Sequence, residues 1–172
     1  MILDPEMDAA SIQKALVKEN PQSFYLRRPQ DRTATFKKLF YRIPRTSHTI
    51  KIDLLLSSEE ALETPVALHS NHFEYRNQIP VAPLHFVLYH KLMGWENRAE
   101  SEESWKREKA NSTDYQDIIN LCDMSFEEGL QPLSKSHLGR FYLHNFEYRA
   151  DSFVENYGRN ARKRFRKIGF PV

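Results

Sequence analysis

The chain has 172 residues, 40% hydrophobic and 12% aromatic, and a formal net charge of +2. That is enough to bury a core as one domain or a domain with an appendage, and it excludes a disordered chain; the charge is too small to imply nucleic-acid or membrane binding by itself. No apolar run approaches the roughly 18 residues of a membrane helix, the first residues lack a charged-then-apolar signal, and lone Cys122 excludes an intramolecular disulfide and fits a reducing compartment, so an intracellular protein, cytoplasmic or nuclear and without membrane contact, is expected.

The first predicted element is a helix over Asp8–Lys18, with Asp8 as its cap and Ile12, Leu16 and Val17 or Ala15 at helical spacing. Asn20-Pro21 ends it. Phe24–Leu26 reads as a short strand. Thr35–Ile43 and His48–Leu56 read as an antiparallel hairpin around Pro44-Arg45-Thr46-Ser47. In its second strand Ile50, Ile52, Leu54 and Leu56 share one face, whereas Lys51, Asp53 and Leu55 share the other. Ser57–Val81 is irregular, with an edge strand expected over Asn77–Val81.

From Pro83 the chain turns helical. Pro83 suits a first turn, Phe86, Tyr89, His90 and Met93 line one side, and the helix closes at Gly94-Trp95. Glu96–Ser112 reads as a polar loop with a helical stretch. Thr113 opens a capped helix to Asp123, with Asp114 and Asp117 in a first turn where carboxylates meet the helix dipole favourably. Cys122 lies beside Ile118, Ile119 and Leu121 as a buried thiol. A short helix over Ser125–Leu130, another over Leu138–Asn145 and a long basic helix over Ala150–Lys167 complete the pattern. The fold class is therefore α+β, a small mixed or antiparallel sheet followed by a helical C-terminal half, with domains expected at 1–122 and 123–172.

Three features carry chemistry: a lone strand carboxylate in Lys51-Ile52-Asp53-Leu54-Leu55, a helix lysine in Leu84…Lys91-Leu92…Gly94-Trp95 with Arg98 behind it, and Asp114-Tyr115-Gln116-Asp117-Ile118. With Ser23-Phe24-Tyr25-Leu26 and Tyr41-Arg42 ahead of them, their order and spacing resemble the nucleotidyltransferase-fold superfamily. The likeness points to its AbiEii-like group and to uncharacterised fungal proteins of that fold, over roughly two-thirds of the chain. It implies that Asp53 is a metal-binding carboxylate taking part in catalysis. Lys91, with Asp114 and Asp117, would bind nucleotide and phosphate, and Mg2+ would serve as cofactor in transfer from a nucleoside triphosphate.

The chain departs from that pattern at its front. Such enzymes open with a Gly-Ser turn and an Asp-x-Asp strand. Here all five glycines (Gly94, Gly129, Gly139, Gly158 and Gly169) lie in the C-terminal half, and only Asp4-Pro5-Glu6 spaces two early carboxylates. A proline cannot donate to a ladder, which argues against a central catalytic strand there. The expectation is a degenerate, non-catalytic or weakly nucleotide-binding pseudoenzyme, or a truncated form of a longer protein.

Two other patterns bear on function. His69-Ser70-Asn71-His72 has ligand-like spacing, but no second ligand pair accompanies it, and His85 and His90, five apart, fall on different helix faces. The terminal helix collects Arg159, Arg162, Lys163, Arg164, Arg166 and Lys167, with Tyr157 and Phe165 interleaved. These positions are read as wrapping most of the helix, as a solvated tail would. The alternative is a nucleic-acid- or protein-binding module that contacts RNA through Arg159, Arg162, Lys163 and Arg166. Phe141, Tyr142, Phe146 and Tyr148 read as packing residues.

Overall fold

A computed structural model of the chain describes residues 2–3, 8–30, 33, 35–56, 74–76, 79–129 and 140–172. The protein is α+β, with a three-stranded antiparallel sheet in its first part and a mostly helical C-terminal half. It divides into two compact units, Met1–Leu68 and His69–Val172. The boundary expected between 122 and 123 falls inside a helix.

The first unit contains β1 (Ile2–Leu3), α1 (Ala9–Glu19), β2 (Phe24–Arg27), β3 (Lys38–Arg42), β4 (Thr49–Ile52) and β5 (Leu55–Leu56). Asp8 caps α1 as its sequence position predicts. Its carboxylate accepts from the Ala10 and Ser11 amides at 3.1 and 3.0 Å and from the Ser11 hydroxyl at 2.5 Å. Those bonds, the Ser11 hydroxyl first, hold its pKa below the usual carboxylate value.

Strands β2, β3 and β4 lie side by side with Leu26, Leu39 and Ile52 in one row and Tyr25, Phe40 and Lys51 in the next. Because side chains alternate across a strand, these rows face opposite ways. Leu39 is fully buried. On the other face the Tyr25 and Phe40 rings stack at 5.5 Å, and the Arg42 guanidinium sits 4.3 Å from the Tyr25 centroid. The β3–β4 turn falls at Pro44–Ser47 as expected, with Arg45 in the left-handed region at φ 62°.

One predicted strand is two. His48–Leu56 breaks after Ile52, where its pairing with Leu39 is the last rung on β3, and Leu55–Leu56 joins β1 in a parallel pair instead. Asp53 therefore stands in the break between β4 and β5.

The second unit holds a hairpin, β6 (Glu74–Arg76) with β7 (Ile79–Val81), and the helices α2 (Leu84–Ala99), α3 (Ser104–Lys109), α4 (Tyr115–Glu127), α5 (Arg140–Tyr157) and α6 (Arg159–Lys167). Of the expected edge strand over Asn77–Val81, residues 77–78 lie outside the described residues.

Helix α2 does not stop at Gly94-Trp95. Trp95 is 2% exposed, and Glu96 and Arg98 are tied to other helices, so tertiary contacts carry the polar last turn to Ala99. Thr113 opens no helix either. A five-residue π-helical segment, Ala110–Asp114, joins α3 to α4, so Asp114 and Asp117 lie within a continuous helical run and not at a free N-terminus. Ser125 belongs to α4, and 130 lies outside the described residues, as do 138–139.

The predicted helix over Ala150–Lys167 is broken at Gly158, whose φ of 69° and ψ of −146° belong to a region open almost only to glycine. The helices close around an aromatic core. Phe153 meets Trp95 edge-on at 5.0 Å and Tyr115 in a stack at 5.9 Å, and lies 5.8 Å from Phe165. Phe146 packs between Tyr89 and Phe170. Burying such rings is worth about 1.5–3 kcal/mol each. Tyr148 is exposed, and the side chains of Phe141 and Tyr142 lie outside the described residues.

Candidate functional site

Asp53, Lys91, Asp114, Asp117 and the basic residues of α6 each have a definite local setting. In the first unit, Lys51 donates to the Asp53 carboxylate at 2.7 Å, both side chains being well exposed. The pair lies on one side of the β4 track, as two-residue spacing requires. Asp4 and Glu6, the other early carboxylates, lie outside the described residues, as do His69 and His72. No group of three His, Cys, Asp or Glu side chains among the described residues is arranged to hold a metal ion.

In the second unit Lys91, Asp114 and Asp117 do come together, with Arg98 as a fourth member. Lys91 Nζ meets Asp117 Oδ2 at 2.5 Å, with both side chains a little over a third exposed. Arg98 grips Asp114 with two nitrogens: Nε on Oδ2, and Nη2 on Oδ1 at 2.8 Å. Lys91 and Arg98 are two turns apart on α2, while Asp117 and Asp114 are one turn apart and met in reverse order. The two helical segments therefore run antiparallel, each basic side chain on one meeting an acid on the other.

Gly94 sits between the two bases, and its missing side chain matters. A Cβ built there would lie 2.9 Å from Arg98 Nη2, so the guanidinium folds across the space a larger residue would occupy. Chemically the cluster is a pair of cross-helix ion pairs. One is partly buried and bidentate; the other is open enough for its lysine to exchange partners.

Two further polar networks lie deeper, and the sequence reading missed both. Arg149 of α5 donates to Glu96 at 2.7 Å and to the Tyr89 hydroxyl at 2.6 Å. Trp95 Nε1 donates to the Tyr157 hydroxyl at 3.0 Å, which in turn donates to Asn111 Oδ1 at 2.7 Å; burial above all raises the Tyr157 pKa. These bonds join residues 46 to 62 positions apart, and no local pattern announces them. Burial pushes the Cys122 thiol up to about 12 and lowers the His85 pKa below its usual value, so neither is poised as a nucleophile or a charged ligand at neutral pH.

The third cluster is on α6. Ala161 and Phe165 are buried, followed by Ile168 and Phe170. Arg164, on the flank, donates through Nε to Asp123 of α4 at 3.0 Å. The other five basic residues, Arg159, Arg162, Lys163, Arg166 and Lys167, are all exposed. At 3.6 residues per turn they occupy an arc of about 140° opposite the buried residues, so they form one face and do not wrap the helix. Arg166 donates through Nε to the Val172 main-chain oxygen at 2.6 Å, and none of the other four is ion-paired with a carboxylate among the described residues.

Comparison with protein-family models, curated proteins and solved structures finds no match. No helix among the described residues is long and apolar enough to cross a membrane. The chain is an α+β protein with two helical segments joined by cross-helix ion pairs and one basic helix face.

Proposed function

We propose that the protein binds nucleic acid, RNA foremost, through the outward face of α6. The observation that carries this reading is the row of five exposed cations on one helix face, four of them without an ion-pair partner among the described residues. Polyphosphate backbones are the common biological ligand for such a row, because each contact releases a condensed counterion. An anionic membrane is a poorer fit. A membrane-surface helix must offer its apolar face to lipid, whereas Ala161 and Phe165 are committed to the protein core.

The test is fluorescence anisotropy of a labelled RNA with the full chain and with a variant combining Arg159→Gln, Arg162→Gln, Lys163→Gln and Arg166→Gln. A loss of affinity of about thirty-fold or more, at unchanged helicity, supports the reading. Equal affinity of the two proteins rejects it.

A second reading is favoured by one observation: Lys91 and Asp117, two of the residues that carry the nucleotidyltransferase resemblance, form a pair open to solvent. On this reading the protein is a degenerate nucleotidyltransferase-like pseudoenzyme. Lys91 would exchange its carboxylate partner for nucleotide phosphate, and the Arg98–Asp114 pair would hold the helices in place. Asp53 would be the remaining carboxylate of a former metal site, and any activity left would be Mg2+-dependent nucleotidyl transfer. Calorimetric titration of Mg-ATP, Mg-GTP, Mg-CTP and Mg-UTP, with Asp53→Ala and Lys91→Ala alongside, decides it. Heat that either variant abolishes supports the reading, and no heat with any nucleotide rejects it.

A further inference from the structure

Phe126 lies near the end of α4 with 51% of its surface exposed, while Ile118, Ile119 and Cys122 of the same helix are buried. It does not point at random. Asp123 meets Arg164 of α6 at 3.0 Å, and one turn later on both helices the Lys167 ammonium lies 4.8 Å from the Phe126 ring centroid. The ring therefore stands at the margin of the basic α6 face with one of the five exposed cations over one of its faces, so a further partner would stack on the other. Met124, the other exposed apolar residue of α4, lies about 200° around the helix from Phe126, so the phenyl is not part of a wider greasy patch.

We infer that this face is built for single-stranded rather than duplex nucleic acid, Phe126 being the surface on which an unpaired base stacks beside Lys167. The inference rests on the α6 reading above and narrows its substrate class. In a duplex the faces of the bases are hidden in the stack and only phosphates and groove edges are offered. A phenyl beside a cationic row adds nothing to such contacts. A single strand presents the same phosphates together with free π-faces, and an aromatic side chain flanked by a cation is what such a base stacks on. Phe126 supplies the ring, Lys167 the neighbouring charge, and Arg159, Arg162, Lys163 and Arg166 continue the track for the backbone.

The experiment measures anisotropy of a labelled single-stranded RNA of about 12 nucleotides, and of the duplex formed with its complement, at one salt concentration. The proteins are the full chain, Phe126→Ala, Phe126→Trp, and the double variant Arg162→Gln/Arg166→Gln. The single strand should bind the wild type more tightly than the duplex. Phe126→Ala should weaken it about ten-fold while leaving duplex affinity unchanged, and Phe126→Trp should restore it. Because Phe126 is half exposed, its truncation opens no core cavity, and an unchanged thermal transition checks that. If Phe126→Ala binds both forms like the wild type, or weakens both equally, while Arg162→Gln/Arg166→Gln still loses affinity, the stacking role is overturned and the basic-face reading stands. If the wild type binds neither form, both are overturned.

Discussion

Arg98 holds Asp114 across sixteen residues of chain, with two guanidinium nitrogens on the two oxygens of a carboxylate that is 1% exposed. A buried acid in that position depends on its partner: removing one member of such a pair leaves an uncompensated charge and typically costs about 3–5 kcal/mol. Urea denaturation of Arg98→Ala should show a loss in that range, and Arg98→Lys should fail to recover most of it because lysine lacks the bidentate fork. Gly94→Ala extends the argument. Alanine favours a helix by about 1 kcal/mol over glycine, yet its Cβ would lie 2.9 Å from Arg98 Nη2. The substitution should destabilise the wild type and stabilise the Arg98→Ala background. The same sign in both backgrounds contradicts the packing described.

Lys91 and Asp117 behave differently despite lying on the same two helical segments. Both side chains are more than a third exposed, so their attraction is screened, and such pairs contribute about 0–1 kcal/mol. Lys91→Ala should therefore unfold within about 1 kcal/mol of the wild type. That makes it a clean probe of nucleotide binding, since any lost heat cannot be blamed on misfolding. A loss of several kcal/mol in urea would show that the pair is structural.

Cys122 is 1% exposed, and its thiol is pushed up to about 12 by burial first and by the Asp123 carboxylate second. Only the thiolate reacts. A disulfide reagent at pH 8 should leave the native protein unmodified over minutes and label one thiol at once in denaturant. Rapid labelling of the native chain would contradict the burial of α4 against its neighbours.

His85 supplies a pH dependence with a definite sign. Burial lowers its pKa below 6.5, with Glu74 partly opposing the shift, and its Nδ1 has no hydrogen-bond partner among the described residues. The unfolded chain takes up this proton near pH 6.5, and the folded chain only at lower pH. Between those values the unfolded state binds more protons, so this contribution to stability is full above about 6.5 and is lost as the pH falls through the window. Denaturation midpoints measured from pH 7.5 to 5 should fall more steeply for the wild type than for His85→Gln. Parallel curves would remove His85 from the account.

Local rules made much of this fold legible. Asp8 ahead of the helically spaced Ile12 and Leu16 marked the start of α1, and Pro44-Arg45-Thr46-Ser47 marked the hairpin turn. What escaped depended on partners distant in the chain. Asp53 reads as embedded in a strand until the ladder is seen to end at Leu39↔Ile52, with the chain transferring to β1. Thr113 reads as a cap because it follows the polar stretch Glu96–Ser112, yet Ala110 and Asp114 are buried and carry the helix through a π segment.

The candidate site shows the same limit. Lys91, Asp114 and Asp117 were visible as chemistry, but that each acid has its own base, and that Gly94 makes room for one of them, is a property of the helix crossing. The basic helix was visible as composition. That five of its charges share one arc follows from their spacing wherever the helix starts, and the packing of Ala161 and Phe165 shows that the opposite side is the buried one.

The most direct test of the account is the salt dependence of RNA binding. If all five exposed cations of α6 meet phosphates, the logarithm of affinity for a single strand should fall against the logarithm of salt concentration with a slope of about −3 to −4. Arg162→Gln/Arg166→Gln should flatten that slope by about 1.4. Affinity that is insensitive to salt, or a slope the double variant leaves unchanged, would show that the α6 face is not where the protein meets nucleic acid.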